Sequence, residues 1–154
     1  MSMQPSVCVR VTRAFSASAE RVFDAWLDTA MIGRWMFGLA LREEEVLRIA
    51  VDARAGGSFS FLVRRQGQEI DHVGEYLEID RPRRLVFTWG IREHLPDTSR
   101  VTIEIMSKGT GCEVTLIHEL HPDWADYASR TEEGWTKMLG VLGAVLDNTD
   151  RPRE

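Results

Sequence analysis

The 154-residue chain carries 19 basic and 24 acidic side chains, for a net charge of −5, and is 44% hydrophobic and 28% charged. That is enough chain for one domain with a real core, of ordinary globular composition, and the acidic balance argues against a nucleic-acid-binding face. No apolar run approaches the ~18 residues of a membrane span, and the opening "MSMQPSVCVRVTRAF" has no apolar signal core, so the expected location is cytoplasmic. Cys8 and Cys112 lie far apart with no CxxC spacing and read as free thiols.

The first predicted element is a strand, because Val7, Val9 and Val11 alternate with Cys8, Arg10 and Thr12. "SASAERVFDAWLD" predicts a helix capped by Ser16 or Ser18, with Val22, Phe23, Trp26 and Leu27 at helical spacing. "TAMIGRWMFG" predicts a second, shorter helix ending near Gly38. Glu43, Glu44 and Glu45 read as a solvated acidic loop.

About six strands follow. "VLRIAVDAR" runs to a turn at Gly56 and Gly57, and Asp52 and Arg54 read as an ion pair supporting that turn. "SFSFLVRR" alternates Phe59, Phe61 and Val63 on one face, and Gly67 marks the next turn. In "HVGEYLEID", His72 shares the parity of Gly74 and Tyr76, opposite to Val73, Leu77 and Ile79. A bulge before Pro82 can switch that parity, so the inward face stays open. Arg81, Arg83 and Arg84 around Pro82 read as a solvated turn. "RLVFTWGI" and "SRVTIEIMS" alternate again. "GTG" makes a hairpin turn, and "EVTLIHEL" returns with Val114, Leu116, His118 and Leu120 on one face. The turns favour an antiparallel meander.

The last element, "EEGWTKMLGVLGAVL" (132–146), is a helix with Trp135, Met138, Leu139, Leu142, Val145 and Leu146 in one stripe. It must cover the sheet. Gly140 and Gly143 on one flank predict a close backbone approach or a thin wall there.

Chemical motifs are sparse. There is no nucleophile elbow, P-loop or GxGxxG, which disfavours covalent or nucleotide chemistry. "HELH" (118–121) is no zinc motif, because its histidines are three apart on a strand, where odd steps face opposite ways. No metal or cofactor is expected.

Five motifs in order resemble a known family: "AERVFDAW" (19–26), "RW" (34–35), "DARAGGSF" (52–59), "GEYLEIDRPRRLVFTW" (74–89) and "GW" (134–135). The chain resembles the SRPBCC superfamily, with its START-like or helix-grip fold, and within it the branch named for the activator of heat-shock-protein-90 ATPase homologue. It departs from the family pattern at Met36, where members often have an aromatic, and at His118-Glu119-Leu120, where a His-x-Gly often ends the last strand.

The resemblance implies an α+β helix-grip domain over 1–154, ordered over about 7–148. A curved antiparallel β-sheet would wrap around a long C-terminal α-helix, with two short helices after the first strand. A curved sheet and a straight helix diverge at one end, and the gap is where such proteins hold an apolar cavity. Phe59, Phe61, Phe87 and Trp89 are then expected on the concave face, Phe59 and Phe87 as core.

The candidate cavity wall is Phe61, Tyr76, Trp89, His118, Trp135, Met138 and Leu139. A lone inward histidine is more often structurally bonded than functional, so His118 is read both ways, and an inward Glu75 would be a general-base candidate. The first expectation is a binding protein for a hydrophobic or amphipathic small molecule. The alternatives are a protein-interaction module, and an enzyme of cyclase, hydrolase or dehydratase type. A homodimer or a protein partner stays open.

Overall fold

A computed structural model describes residues 7–37 and 43–150, with side chains described to residue 147. Strand β1 (Val7–Phe15) is followed by helices α1 (Ala19–Ala25) and α2 (Thr29–Trp35). Six strands follow: β2 (Glu45–Val51), β3 (Ser58–Arg65), β4 (Gln68–Asp80), β5 (Arg84–Ile91), β6 (Ser99–Lys108) and β7 (Gly111–Leu120). The long helix α3 (Ala128–Asp150) ends the chain's described part. The strands form one curved antiparallel sheet in the order β1-β7-β6-β5-β4-β3-β2. Its concave face holds the helices, as expected from the sequence.

Local chemistry sets the element ends. Ser18, not Ser16, caps α1 by accepting from the Arg21 amide, while the Ser16 hydroxyl donates to Asp147 at 2.7 Å. Asp28 caps α2 by accepting from the amides of Ala30 and Met31. That helix ends at Trp35 with Met36 as its cap, and Gly38 lies outside the described residues. The β3–β4 hairpin turns on Gln66 and Gly67, both at positive φ, as a tight two-residue connection requires.

Strand β4 resolves the open parity. Register pairs Phe61 with His72, Phe59 with Gly74 and Phe87 with Tyr76, so His72, Gly74 and Tyr76 face inward. A bulge at Leu77, between the Tyr76 and Glu78 pairings, then switches the strand. Leu77 is left exposed, and Ile79 turns in to pair with core residue Leu85. Gly74 is needed because a Cβ there would lie 1.9 Å from the Thr88 carbonyl oxygen and 2.5 Å from the Phe59 ring.

The core is aromatic. Trp26 meets Trp35 edge-on at 4.6 Å between ring centroids, and Phe59 stacks on Phe61 at 4.6 Å. Buried aromatics of this size dominate core energetics. From α3, Trp135, Leu139, Leu142 and Leu146 are buried, with Met138 and Val145 at the edges of the stripe. Each buried large side chain is worth about 1.5–3 kcal/mol, which outweighs the roughly 1 kcal/mol each glycine costs inside a helix.

Two expectations about charge and backbone are corrected. The acidic run is solvated only in part: Glu43 and Glu45 are exposed, but Glu44 is buried and receives two hydrogen bonds from Arg65, at 2.6 and 3.0 Å. A charge of that depth persists only when paired. The flank of α3 is not uniformly close, because nothing lies within 4 Å of a Cβ built at Gly140, whereas at Gly143 the Arg13 guanidinium comes to 3.3 Å. The basic turn is paired as well as solvated: Arg81 grips Asp24 of α1 at 2.7 and 3.0 Å, and Arg83 bonds Asp80. Asp52 and Arg54 form the expected ion pair at 2.9 Å.

Candidate functional site

Where α3 begins, it stands away from the sheet. The helix starts at Ala128, four residues before the predicted stretch beginning at Glu132, so Gly134 and Trp135 lie nearly two turns in. Between these early turns and strands β4, β5 and β7 lies a cavity of about 280 Å³. Its apolar walls are Phe37, Trp89, Ile91, Trp135 and Met138. Polar groups reach it from Arg65, His72, His118, Arg130 and Thr131, and Gly134 leaves a gap in the helix wall.

Of the seven wall residues named from sequence, Trp89, His118, Trp135 and Met138 come together at this cavity. Phe61 and Tyr76 do not reach it. They sit deeper, with Trp26, Met36, Phe59 and Phe87, around a gap of only about 10 Å³. Leu139 is fully buried, one helical turn below, and is core. Trp89 separates the two spaces, since its ring centroid lies 5.8 Å from that of Phe59, 6.3 Å from that of Phe61 and 5.8 Å from that of Trp135. The sequence reading missed Phe37, Arg65, Ile91, Arg130 and Thr131. Only the parity of Ile91 with Trp89 on β5 hinted at one of them.

His118 is the hub of the walls. Alternation along β7 turns it inward beside Leu116 and Leu120. The Trp135 indole N–H, which can only donate, gives its hydrogen to His118 Nδ1 at 3.0 Å. The ring proton therefore sits on Nε2 and is donated to Ser99 Oγ at 2.6 Å. Ser99 in turn donates to the Trp89 carbonyl at 3.2 Å. Both ring nitrogens are thus used, and burial pushes the imidazole pKa down to about 4, so the ring is neutral. What this chain does is fix Trp135 on α3 against the backbone of Trp89 on β5.

Of the other acid–base groups named from sequence, only His72 lines the cavity. His72 is inward, and its Nδ1 donates to the Phe61 carbonyl at 3.2 Å. Glu75 faces outward and is exposed, so the general-base role that depended on an inward Glu75 has no basis. His121 is exposed, just past the end of β7, and its ring accepts from the Asp123 amide.

A wider depression of about 870 Å³ lies on the opposite, outer face, over Ser60, Val73, Thr88, Leu95 and Pro96. We place the candidate site in the smaller cavity. The outer hollow is lined mostly by small and polar side chains, whereas the smaller cavity has Trp89, Trp135, Phe37 and Met138 in its wall, as ligand sites with large apolar groups and a few polar ones do.

This architecture, a curved antiparallel sheet closed by one long helix with a cavity at the divergent end, defines a helix-grip protein. Residues 16–147 match the family described as Activator of Hsp90 ATPase homolog 1-like protein, and the chain belongs to that family. Among solved structures, protein CV1439 from Chromobacterium violaceum is similar with 25% identity and a TM-score of 0.76, over 90% of this chain and 95% of that one. Protein NE0264 from Nitrosomonas europaea shares the fold at 18% identity and a TM-score of 0.82, over 96% and 98% of the two chains. CalU16 from Micromonospora echinospora shares it at 23% identity and a TM-score of 0.67, over 89% and 74%. A comparison with curated proteins finds no match. No helix among the described residues is long and apolar enough to cross a membrane.

Proposed function

We propose that this protein binds an apolar or amphipathic small molecule in the cavity under the early turns of α3. The observation that carries the reading is the cavity itself. It lies where helix and sheet diverge, has two tryptophans in its wall, and has its inner end closed by packed aromatics. Its volume of about 280 Å³ falls just below the ~300–1,000 Å³ range of drug-sized ligand sites. The occupant is therefore about the size of a two-ring compound rather than a long lipid. The rival readings draw less support. Among the described residues the exposed large apolar ones, Leu77, Leu95, Met106 and Tyr127, belong to four different segments; His118 and His72 are each hydrogen-bonded within the fold, and Glu75 faces outward.

The test is native mass spectrometry of the purified protein, together with displacement of a hydrophobic dye by two-ring compounds. A bound species or saturable one-to-one displacement is expected. Finding neither would overturn the proposal.

A further inference from the structure

We infer that the ligand carries a negatively charged end, a carboxylate by preference, and that Arg130 at the cavity mouth receives it. This rests on the cavity reading above and specifies its ligand. The ionisable side chains lining the cavity are Arg65, Arg130, His72 and His118. Among the described residues no carboxylate lines it, and residues 38–42, Gly-Leu-Ala-Leu-Arg, contain none in sequence. In a chain with a net charge of −5, that one-sided lining stands out against the overall charge.

The two arginines are not equivalent. Arg65 is committed to buried Glu44 at 2.6 Å, a pair that cancels its charge and holds β3 in place. Arg130 lies in the first turn of α3, is exposed, and has no ion-pair partner among the described residues. The first turn itself carries no acidic residue; Asp126 precedes it and Glu132 and Glu133 follow, but none of the three lines the cavity. A guanidinium fork matches a carboxylate with two parallel hydrogen bonds, better than it matches an alcohol. Thr131 already gives its hydroxyl proton to the Tyr127 carbonyl, so its oxygen is left as an acceptor and does not compete for the anion. The apolar body of such a ligand would lie inward against Trp89, Trp135 and Met138, with its charge outward.

The test is isothermal titration of the full chain with three two-ring probes of matched shape: naphthoate, naphthalenemethanol and naphthylmethylammonium. Naphthoate is expected to bind about tenfold more tightly than the alcohol, with the cation weakest. Arg130→Gln, an exposed substitution that leaves the core intact, is expected to bring naphthoate down to the affinity of the alcohol. About 1 M salt, with a Debye length near 3 Å, is expected to shrink it. Equal affinity for naphthoate and the alcohol, or a preference that survives in Arg130→Gln, overturns the assignment of charge and leaves the cavity reading standing. No binding of any of the three overturns both.

Discussion

His118 is held neutral at pH 7 by burial, with the Trp135 indole on one nitrogen and Ser99 on the other. The sign of its effect on stability follows from its two pKa values. The unfolded ring takes its proton near pH 6.5, whereas the folded ring resists until about 4. Between those values the unfolded state binds more protons, so the contribution is complete above pH 6.5 and is lost as pH falls to about 4, on the order of 3 kcal/mol. His118→Leu is expected to flatten this slope in urea titrations across that window. At pH 7 the same variant is expected to cost about 1–3 kcal/mol, since the buried Trp135 N–H loses its acceptor while Ser99 keeps the Trp89 carbonyl. An unchanged pH slope would mean that other groups govern the acid limb. The inward direction of His118 was legible from the parity of Val114, Leu116 and Leu120. Its partners were not, because Ser99 and Trp135 come from other elements, 19 and 17 residues away.

The strands and helices were readable because alternation and helical spacing are local signals. The failures came from pairings the sequence cannot display. Glu44 is buried because its counter-ion stands 21 residues on, in β3. The facing of β4 depended on a bulge at Leu77 that only the register with β5 reveals. The glycines of α3 likewise separate once their surroundings are known. Gly140 faces open space, so Gly140→Ala is expected to stabilise the protein by about 1 kcal/mol in urea denaturation, because helix propensity alone decides. Gly74→Ala is expected to cost about 3 kcal/mol or more, because Thr88 backbone and the Phe59 ring occupy the space of the added methyl. Equal effects at the two positions would contradict this assignment of their roles.

Across the whole molecule, seven strands curve around one helix, and the aromatic side chains fill nearly all of the enclosed space except at its open end. The fold was legible in the sequence because five motifs in order carried a family resemblance, and the family match bears that out. The site was legible only in outline. Four of the seven wall residues named from sequence reach the cavity, and the depth at which Phe61, Tyr76 and Leu139 become core depends on how far the sheet curves, which no periodicity encodes.

The central claim is that the space at this open end is a binding site rather than a packing defect, and Gly134 allows it to be tested without damage. Nothing lies within 4 Å of a Cβ built there, and the residue lines the cavity from a helical position. Gly134→Leu should therefore fill the mouth while raising helix propensity. The decisive measurement is the affinity of a two-ring apolar ligand for the native chain and for Gly134→Leu by isothermal titration, with thermal stability followed in parallel. The expected result is one-to-one binding to the native chain, at least about tenfold weaker binding to a variant that is no less stable. Equal binding by both, or none by either, would contradict a ligand site under α3.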